Sequence, residues 1–359
     1  MLFIIIFVTL FQYGLMFANC PDIGDIQPCS CDKDSKNITC KLNNEEIPDL
    51  KAMFATIDSK IVDGNKNFPS FSLINVKLPK LPEKLFSGLK FDQVNLVGIT
   101  FTDNTNRIDP KVFDGQQDSV KQLKLVLNDI TVDEIKSAIN NLQSLETLHI
   151  YDVKQLNLQE NTFENLPKLT NVYLENVEIQ TIKENAFKSL DALQLLSMRT
   201  CSFNKVSARA FALGQANHDT TIEFNFNKKF NVPNIDDKCF DKIERSVTIL
   251  YENQLSVVSN THPILDENIF TTLLKQSKEN KIVAKIDCNN CGNMWLINEQ
   301  WKSQIDGTVC TDGNTIYKSY LRLCDQTTTP SNAFNIKSNN LFVSIIFAFS
   351  LFFYLSLIH

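Results

Sequence analysis

Histidine is scarce in this chain, with four in 359 residues, at His149, His218, His262 and His359. No H-E-x-x-H, G-x-S-x-G, phosphate-cradling P-loop or paired metal cluster accompanies them. Zinc-hydrolase, serine-hydrolase and nucleoside-triphosphate chemistry therefore lack their residues, and no cofactor or metal is expected. Runs of lysine and arginine are also missing, and the net charge is −6. That balance argues against a nucleic-acid partner. What the chain does have is 43% apolar residues and ten cysteines. So many cysteines suit a reducing compartment only if they hold metal, and their clustering points to disulfides.

The apolar residues are strongly ordered from Leu142 to Phe211. Leu145, Leu148, Ile150, Val153, Leu158 and Phe163 make one pass. Leu169, Val172, Leu174, Val177, Ile179, Ile182 and Phe187 make the next, and Leu193, Leu196, Met198, Cys201, Phe203, Val206 and Phe211 the third. The template is L-x-x-L-x-L-x-x-(N/C)-x-L-x-x-L-x4-F, offset by 24 residues each time. The L-x-L step has period two, so both residues of a short strand face inward while those between face out. One such coil cannot bury its own apolar side, so neighbours must stack. A period of this length with this spacing is the signature of leucine-rich repeats. The expected fold is an α/β solenoid, a horseshoe with short parallel strands on the concave face and disulfide caps at both ends.

The same template places weaker coils on either side. Phe71, Leu73, Val76, Leu78, Leu81 and Phe86 fit it, as do Val94, Leu96, Ile99, Phe101, Ile108 and Phe113 after an insertion around 102–107. Leu123, Leu125, Asn128, Ile130 and Ile139 make another. Ile222, Phe224 and Asn227 begin a further coil, and Thr248, Leu250, Asn253, Leu255 and Val258 the last. Asn128, Asn227 and Asn253 occupy the turn position where an asparagine amide can satisfy buried backbone, whereas Val153, Val177 and Cys201 cannot do so in the same way. Cys201 there reads as a buried thiol, with pairing to Cys239 as the alternative.

The register sets the outward rows. One holds Asn95, Lys124, His149, Tyr173, Ser197, Glu223 and Ile249; the next holds Val97, Val126, Tyr151, Glu175, Arg199, Asn225 and Tyr251. Strands lie about 4.8 Å apart, which brings His149, Tyr151, Tyr173, Glu175 and Arg199 into one patch beside Glu223. Tyrosine and arginine dominate hot spots at protein interfaces, so these six residues are the candidate partner-binding site. The plain alternative is a solvated sheet with a Glu175–Arg199 cross-strand pair. His149 near Glu175 suggests acid–base work, but an open sheet lacks a water-excluding pocket.

Cys20, Cys29, Cys31 and Cys40 cluster before the repeats, and Cys288, Cys291, Cys310 and Cys324 after them. Four cysteines allow three pairings in each cluster, and the spacing does not choose. Zinc is the rival reading, favoured at the second cluster by its C-x2-C. Asn37-Ile38-Thr39 is a glycosylation sequon within the first cluster. Residues 1–18 read as a secretory signal peptide. Ser331-Asn332-Ala333, a polar spacer and the uncharged apolar run Leu341–Ile358 match a lipid-anchor attachment signal, with Ser331 as the attachment residue. A single C-terminal membrane helix is the alternative, although no lysine or arginine follows the run. The expected organisation is 1–18 signal, 19–68 N-terminal cysteine cap with a degenerate first coil, 69–282 repeats, 283–325 C-terminal cysteine cap, 326–340 linker and attachment region, and 341–359 a hydrophobic tail that is removed.

Cys20-Pro21-Asp22, Pro28-Cys29-Ser30-Cys31, Trp295-Leu296 and Cys310-Thr311-Asp312-Gly313-Asn314 carry a resemblance. Over roughly 20–324 the chain resembles extracellular leucine-rich repeat proteins with N- and C-terminal cysteine caps. Within these it is similar to a set of arthropod proteins named after the non-catalytic subunit of a luciferase. The resemblance implies a tryptophan-bearing helix covering the last coil, and a departure is that the leading C-x-C of the second cap is C-x2-C here. It also implies recognition, adhesion or receptor work without catalysis, at the outer face of the plasma membrane or in secreted form. The expected partner is a protein ligand or co-receptor. A structural matrix component, or an accessory subunit of a separate secreted enzyme, is the alternative function.

Overall fold

The computed structural model describes residues 17–42, 49–61, 65–103, 105–126, 132–160, 162–225, 234–252, 264–288 and 291–317. Expectations placed on residues 1–16, Asn128, Ile130, Asn227, Asn253, Leu255, Val258, Cys324, Ser331 and the rest of 318–359 lie outside these residues.

One sheet runs the length of the described chain. Its strands are β1 (Ser30–Cys31), β2 (Ile38–Lys41), β3 (Asn67–Ile74), β4 (Lys90–Val97), β5 (Gln122–Val126) and β6 (Thr147–Tyr151), followed by β7 (Asn171–Glu175), β8 (Leu195–Arg199), β9 (Thr220–Asn225), β10 (Val247–Glu252), β11 (Lys281–Ile286) and β12 (Val309–Cys310). Each pairs with the next in chain order, antiparallel for β1 with β2 and parallel thereafter. Sequential parallel pairing of this kind is what a stacked coil dictates: every strand returns one coil later in the same place. On the far side the chain forms shorter parallel ladders, Leu156–Leu158 with Glu178–Ile182 and Ser202–Phe203, and Lys77–Leu78 with Thr100–Phe101.

The interior is the apolar template made solid. Phe163, Phe187 and Phe211 are buried and stack in file, with ring centres 5.9 Å apart at each step and planes within 19° and 3°. Phe240 continues the file 5.0 Å beyond Phe211, and Phe270 follows at 5.9 Å. Burying one such ring stabilises by roughly 1.5–3 kcal/mol, and ring pairing adds about 0.5–1.5. The insertion at 102–107 leaves the register intact, because Leu81 bridges Ile108 directly after it.

After the short α1 (Ile23–Ile26), helices replace the returning segment in three coils. Asp49 caps α2 (Leu50–Lys60) by accepting from the Ala52 N–H at 2.8 Å. Its Phe54 packs edge-on against Phe71 and Phe86, so the degenerate stretch before β3 closes the N-terminal end with an aromatic cluster. The helix α3 (Val132–Ile139) carries Glu134, which grips Arg107 through two hydrogen bonds. The helix α4 (Glu267–Gln276), capped by Asp266, buries Ile269, Phe270, Leu273 and Leu274.

Cys20 pairs with Cys31, Cys29 with Cys40 and Cys288 with Cys310, and Cys291 is also disulfide-bonded. The Trp295 segment is a 3₁₀ turn over Cys291–Ile297 rather than a full α-helix; Trp295 donates to the Leu265 carbonyl at 3.0 Å and Leu296 is buried.

The corners depart from expectation in an instructive way. Asn75, Gly98, Asp152, Asn176 and Thr200 hold φ between 52° and 63°. Each stands one position before the expected turn asparagine, where a left-handed residue swings the chain off the sheet. The Asn176 N–H then donates to the Arg199 carbonyl of the next coil at 2.9 Å. Val177 and Val153 are thereby free to be apolar. Cys201 is a buried free thiol that donates to the Leu174 carbonyl at 3.4 Å, and Cys239 is free and buried as well, so the two are not joined. Burial pushes the Cys201 thiol up to about 12.

Strand β10 corrects one assignment. Ile249 pairs with Ile222 and Tyr251 with Phe224, so both point inward and are buried. The outward residue beside Glu223 is Leu250. Val247, Ile249 and Tyr251 form a period-two set with more apolar surface than Thr248 and Leu250, and the larger set takes the core.

Candidate functional site

The candidate surface is the outward face of β5 to β9. The register pairs Lys124 with His149, His149 with Tyr173, Tyr173 with Ser197, and Ser197 with Glu223. Beside this row, Val126, Tyr151, Glu175 and Arg199 line up in the same way. Strand pairing therefore sets which positions are neighbours.

Three of the expected residues form a column. The His149 and Tyr173 rings lie 4.4 Å apart and within 5° of parallel, and Tyr151 lies 5.8 Å from His149 at 6°. His149 Nδ1 and the Tyr151 hydroxyl share a hydrogen bond of 3.1 Å. The Lys124 ammonium sits over the Tyr151 ring at 4.9 Å. Partial burial, with the Lys124 charge in addition, lowers the His149 pKa below its ordinary value. The imidazole is thus neutral at physiological pH. Burial, followed by the Glu175 carboxylate, raises the pKa of the Tyr151 hydroxyl.

The remaining expected residues divide. Arg199 does not pair with Glu175. Its guanidinium turns to Glu223, with Nε donating to Oε1 at 3.0 Å and Nη2 to Oε2 at 3.2 Å. The Glu223 carboxylate is buried and also accepts from the Ser197 hydroxyl at 2.9 Å. A carboxylate withdrawn from water needs every lone pair answered, and the β9 side offers the bidentate geometry together with the serine. The Glu175 carboxylate, by contrast, holds no hydrogen bond or ion pair among the described residues, and stands half-buried between Tyr151 and Arg199 in register.

Lys124 and Ser197 belong to this arrangement although neither is among the six candidate residues. Their positions in the His149 row place them there; their residue types alone did not single them out. Among the described residues no group of His, Cys, Asp and Glu could hold a metal ion. No helix of the described residues is long and apolar enough to cross a membrane.

The family described as the BspA type leucine rich repeat region matches this chain in 6 copies, with spans at residues 89–216 and 119–245. No curated protein matches the sequence. Among solved structures, a chain of the Toll–Spatzle complex, described as a molecular hub in Drosophila development and innate immunity, is similar at 8% identity with a TM-score of 0.31. That match covers 77% of this chain and 43% of the other, so this chain spans less than half the length of that one. The repeat match and the coil geometry together establish the fold as a leucine-rich repeat horseshoe, with short parallel strands on its concave face and disulfides near both ends.

Proposed function

We propose that this chain is a non-catalytic cell-surface protein that binds another protein through its concave face. The carrying observation is the outward column of Lys124, Tyr151, His149 and Tyr173. Stacked rings are ordered before any partner arrives, so they offer contact area at little further entropic cost. Arg199, exposed but clamped by buried Glu223, supplies a fixed cation next to them. A catalytic use of His149 has less support: its ring is committed to the stack, and the sheet around it is open to water.

The disulfides favour an oxidising space outside the cytosol. This fits export directed by residues 1–18, glycosylation at Asn37, and attachment to the outer membrane face through lipid at Ser331. Release by phosphatidylinositol-specific phospholipase C is the expected result for the attachment; retention after treatment contradicts it. For the binding face, affinity capture from native membranes by the wild-type chain is compared with capture by Tyr151→Ala/Tyr173→Ala. The double variant should lose the captured protein while melting nearly as the wild type does. An unchanged set of captured proteins overturns the reading.

A further inference from the structure

The outward row that ends in Arg199 has a pattern a solvated sheet does not need. From strand to strand it reads Lys41, Ile74, Val97, Val126, Tyr151, Glu175, Arg199, each in register with the next. Outward positions of a water-facing sheet ordinarily carry polar side chains. Here four consecutive strands carry Ile, Val, Val and Tyr, all only partly covered. The row beside it, with Ser72, Asn95 and Lys124, is polar, and Asn95 bonds to the Ser72 hydroxyl at 3.0 Å. The apolar stripe is therefore a property of one row and not of the face as a whole.

The two ends of the stripe carry opposite charges, without an ion pair among the described residues. Lys41 is exposed at one end and Glu175 is half-buried at the other. The other charges nearby are engaged, Arg199 with Glu223 and Lys124 over Tyr151. Five strand steps of about 4.8 Å separate Lys41 from Glu175, or about 24 Å.

Resting on the concave-face reading above, we infer that this row docks a protein segment with a line of apolar side chains, an acidic residue at one end and a basic residue at the other. The acidic end faces Lys41 and the basic end faces Glu175, so the charges set the orientation while the apolar line supplies the contact. A helix fits the spacing, since its 5.4 Å pitch places one side chain per turn close to one per strand, and about 16 residues cover the span.

The test uses a phage-displayed library of helical peptides, each about 16 residues long, selected on the immobilised full chain. Enriched peptides are then measured against Val97→Asp/Val126→Asp, the charge exchange Lys41→Glu/Glu175→Lys, and Tyr151→Ala/Tyr173→Ala. Enriched sequences should carry the acidic–apolar–basic order and bind the first two variants at least about tenfold more weakly. Exchanging the peptide's own end charges should restore binding to the charge-exchanged chain. Peptides without that order, peptides indifferent to the charge exchange, or a selection with no enrichment overturn the inference. Peptides that lose affinity only for the tyrosine variant leave the concave-face reading standing and remove this one; peptides indifferent to every variant remove both.

Discussion

The coils from β6 to β8 and those from β9 to β11 reach the same shape by different means. In the first set, 24 residues separate one strand from the next, and backbone groups close the turn into each strand: the Thr170 and Asn171 N–H groups donate to the Glu146 carbonyl at 2.9 and 3.0 Å. In the second set the pairing of Leu195 with Thr221, Thr221 with Thr248 and Thr248 with Lys281 stretches the spacing to 26, 27 and 33 residues. Around this set, large polar side chains also bind backbone carbonyls, some of them in coils further back. Arg245 donates to the carbonyls of Gly214, Asp191, Leu193 and Leu190 at 2.6 to 3.3 Å. Asn280 bonds the Leu273 carbonyl and the Val247 N–H, and Gln304 donates to the carbonyls of Leu274, Ser277 and Asn280. The regular coils thus close through backbone groups and small hydroxyls, whereas the longer coils add large polar side chains.

The largest expected effect is in the regular coils. Phe187→Ala removes the middle ring of the file and should cost about 3–5 kcal/mol, measured by denaturant unfolding. Arg245→Ala should cost about 3 kcal/mol, because it removes hydrogen bonds to four backbone carbonyls at once. The two should differ in place: hydrogen exchange should show Arg245→Ala loosening β9 and β10 while β6 keeps its protection. Equal loosening along the whole sheet would erase the contrast.

Smaller effects belong to the surface. Tyr151→Ala/Tyr173→Ala should change unfolding stability by less than about 1 kcal/mol while removing binding, since these rings cover the sheet without filling the core. A thiol-alkylating reagent at neutral pH should leave Cys201 and Cys239 unmodified until the chain unfolds, because burial raises both pKa values and excludes the reagent. Native labelling detected by mass spectrometry would contradict that. The smallest effect is pH-dependent. The folded pKa of His149 lies below its unfolded value near 6.5, so its contribution to stability is complete above about 6.5 and is lost as pH falls through the folded value. Thermal melts of His149→Gln should show a slightly flatter dependence on pH in that acidic window.

The regular half of this contrast was legible in the sequence. Leu148, Ile150, Phe163 and their counterparts repeat without slippage, and the same arithmetic places His149, Tyr151 and Tyr173 side by side. The irregular half was not. Nothing in a 24-residue template marks Arg245, because the carbonyls it answers come from coils far back in the chain. Strand β10 offered two alternating sets, and Tyr251 read as outward because a tyrosine suits either face; only pairing with β9 decides. The choice of Glu223 over Glu175 by Arg199 is likewise invisible to register, which puts a carboxylate near the guanidinium on both sides and leaves the selection to Ser197 and burial. The left-handed corners at Asp152, Asn176 and Thr200 were one residue from where the asparagine pattern directed attention.

The central claim is that neighbouring coils share one interior, and native-state hydrogen exchange on Phe187→Ala tests it most directly. The account predicts that Thr147–Tyr151 and Leu195–Arg199 lose protection together with Asn171–Glu175, because their coils stack on the deleted ring. Loss confined to Asn171–Glu175, with both neighbours as protected as in the wild type, would contradict it.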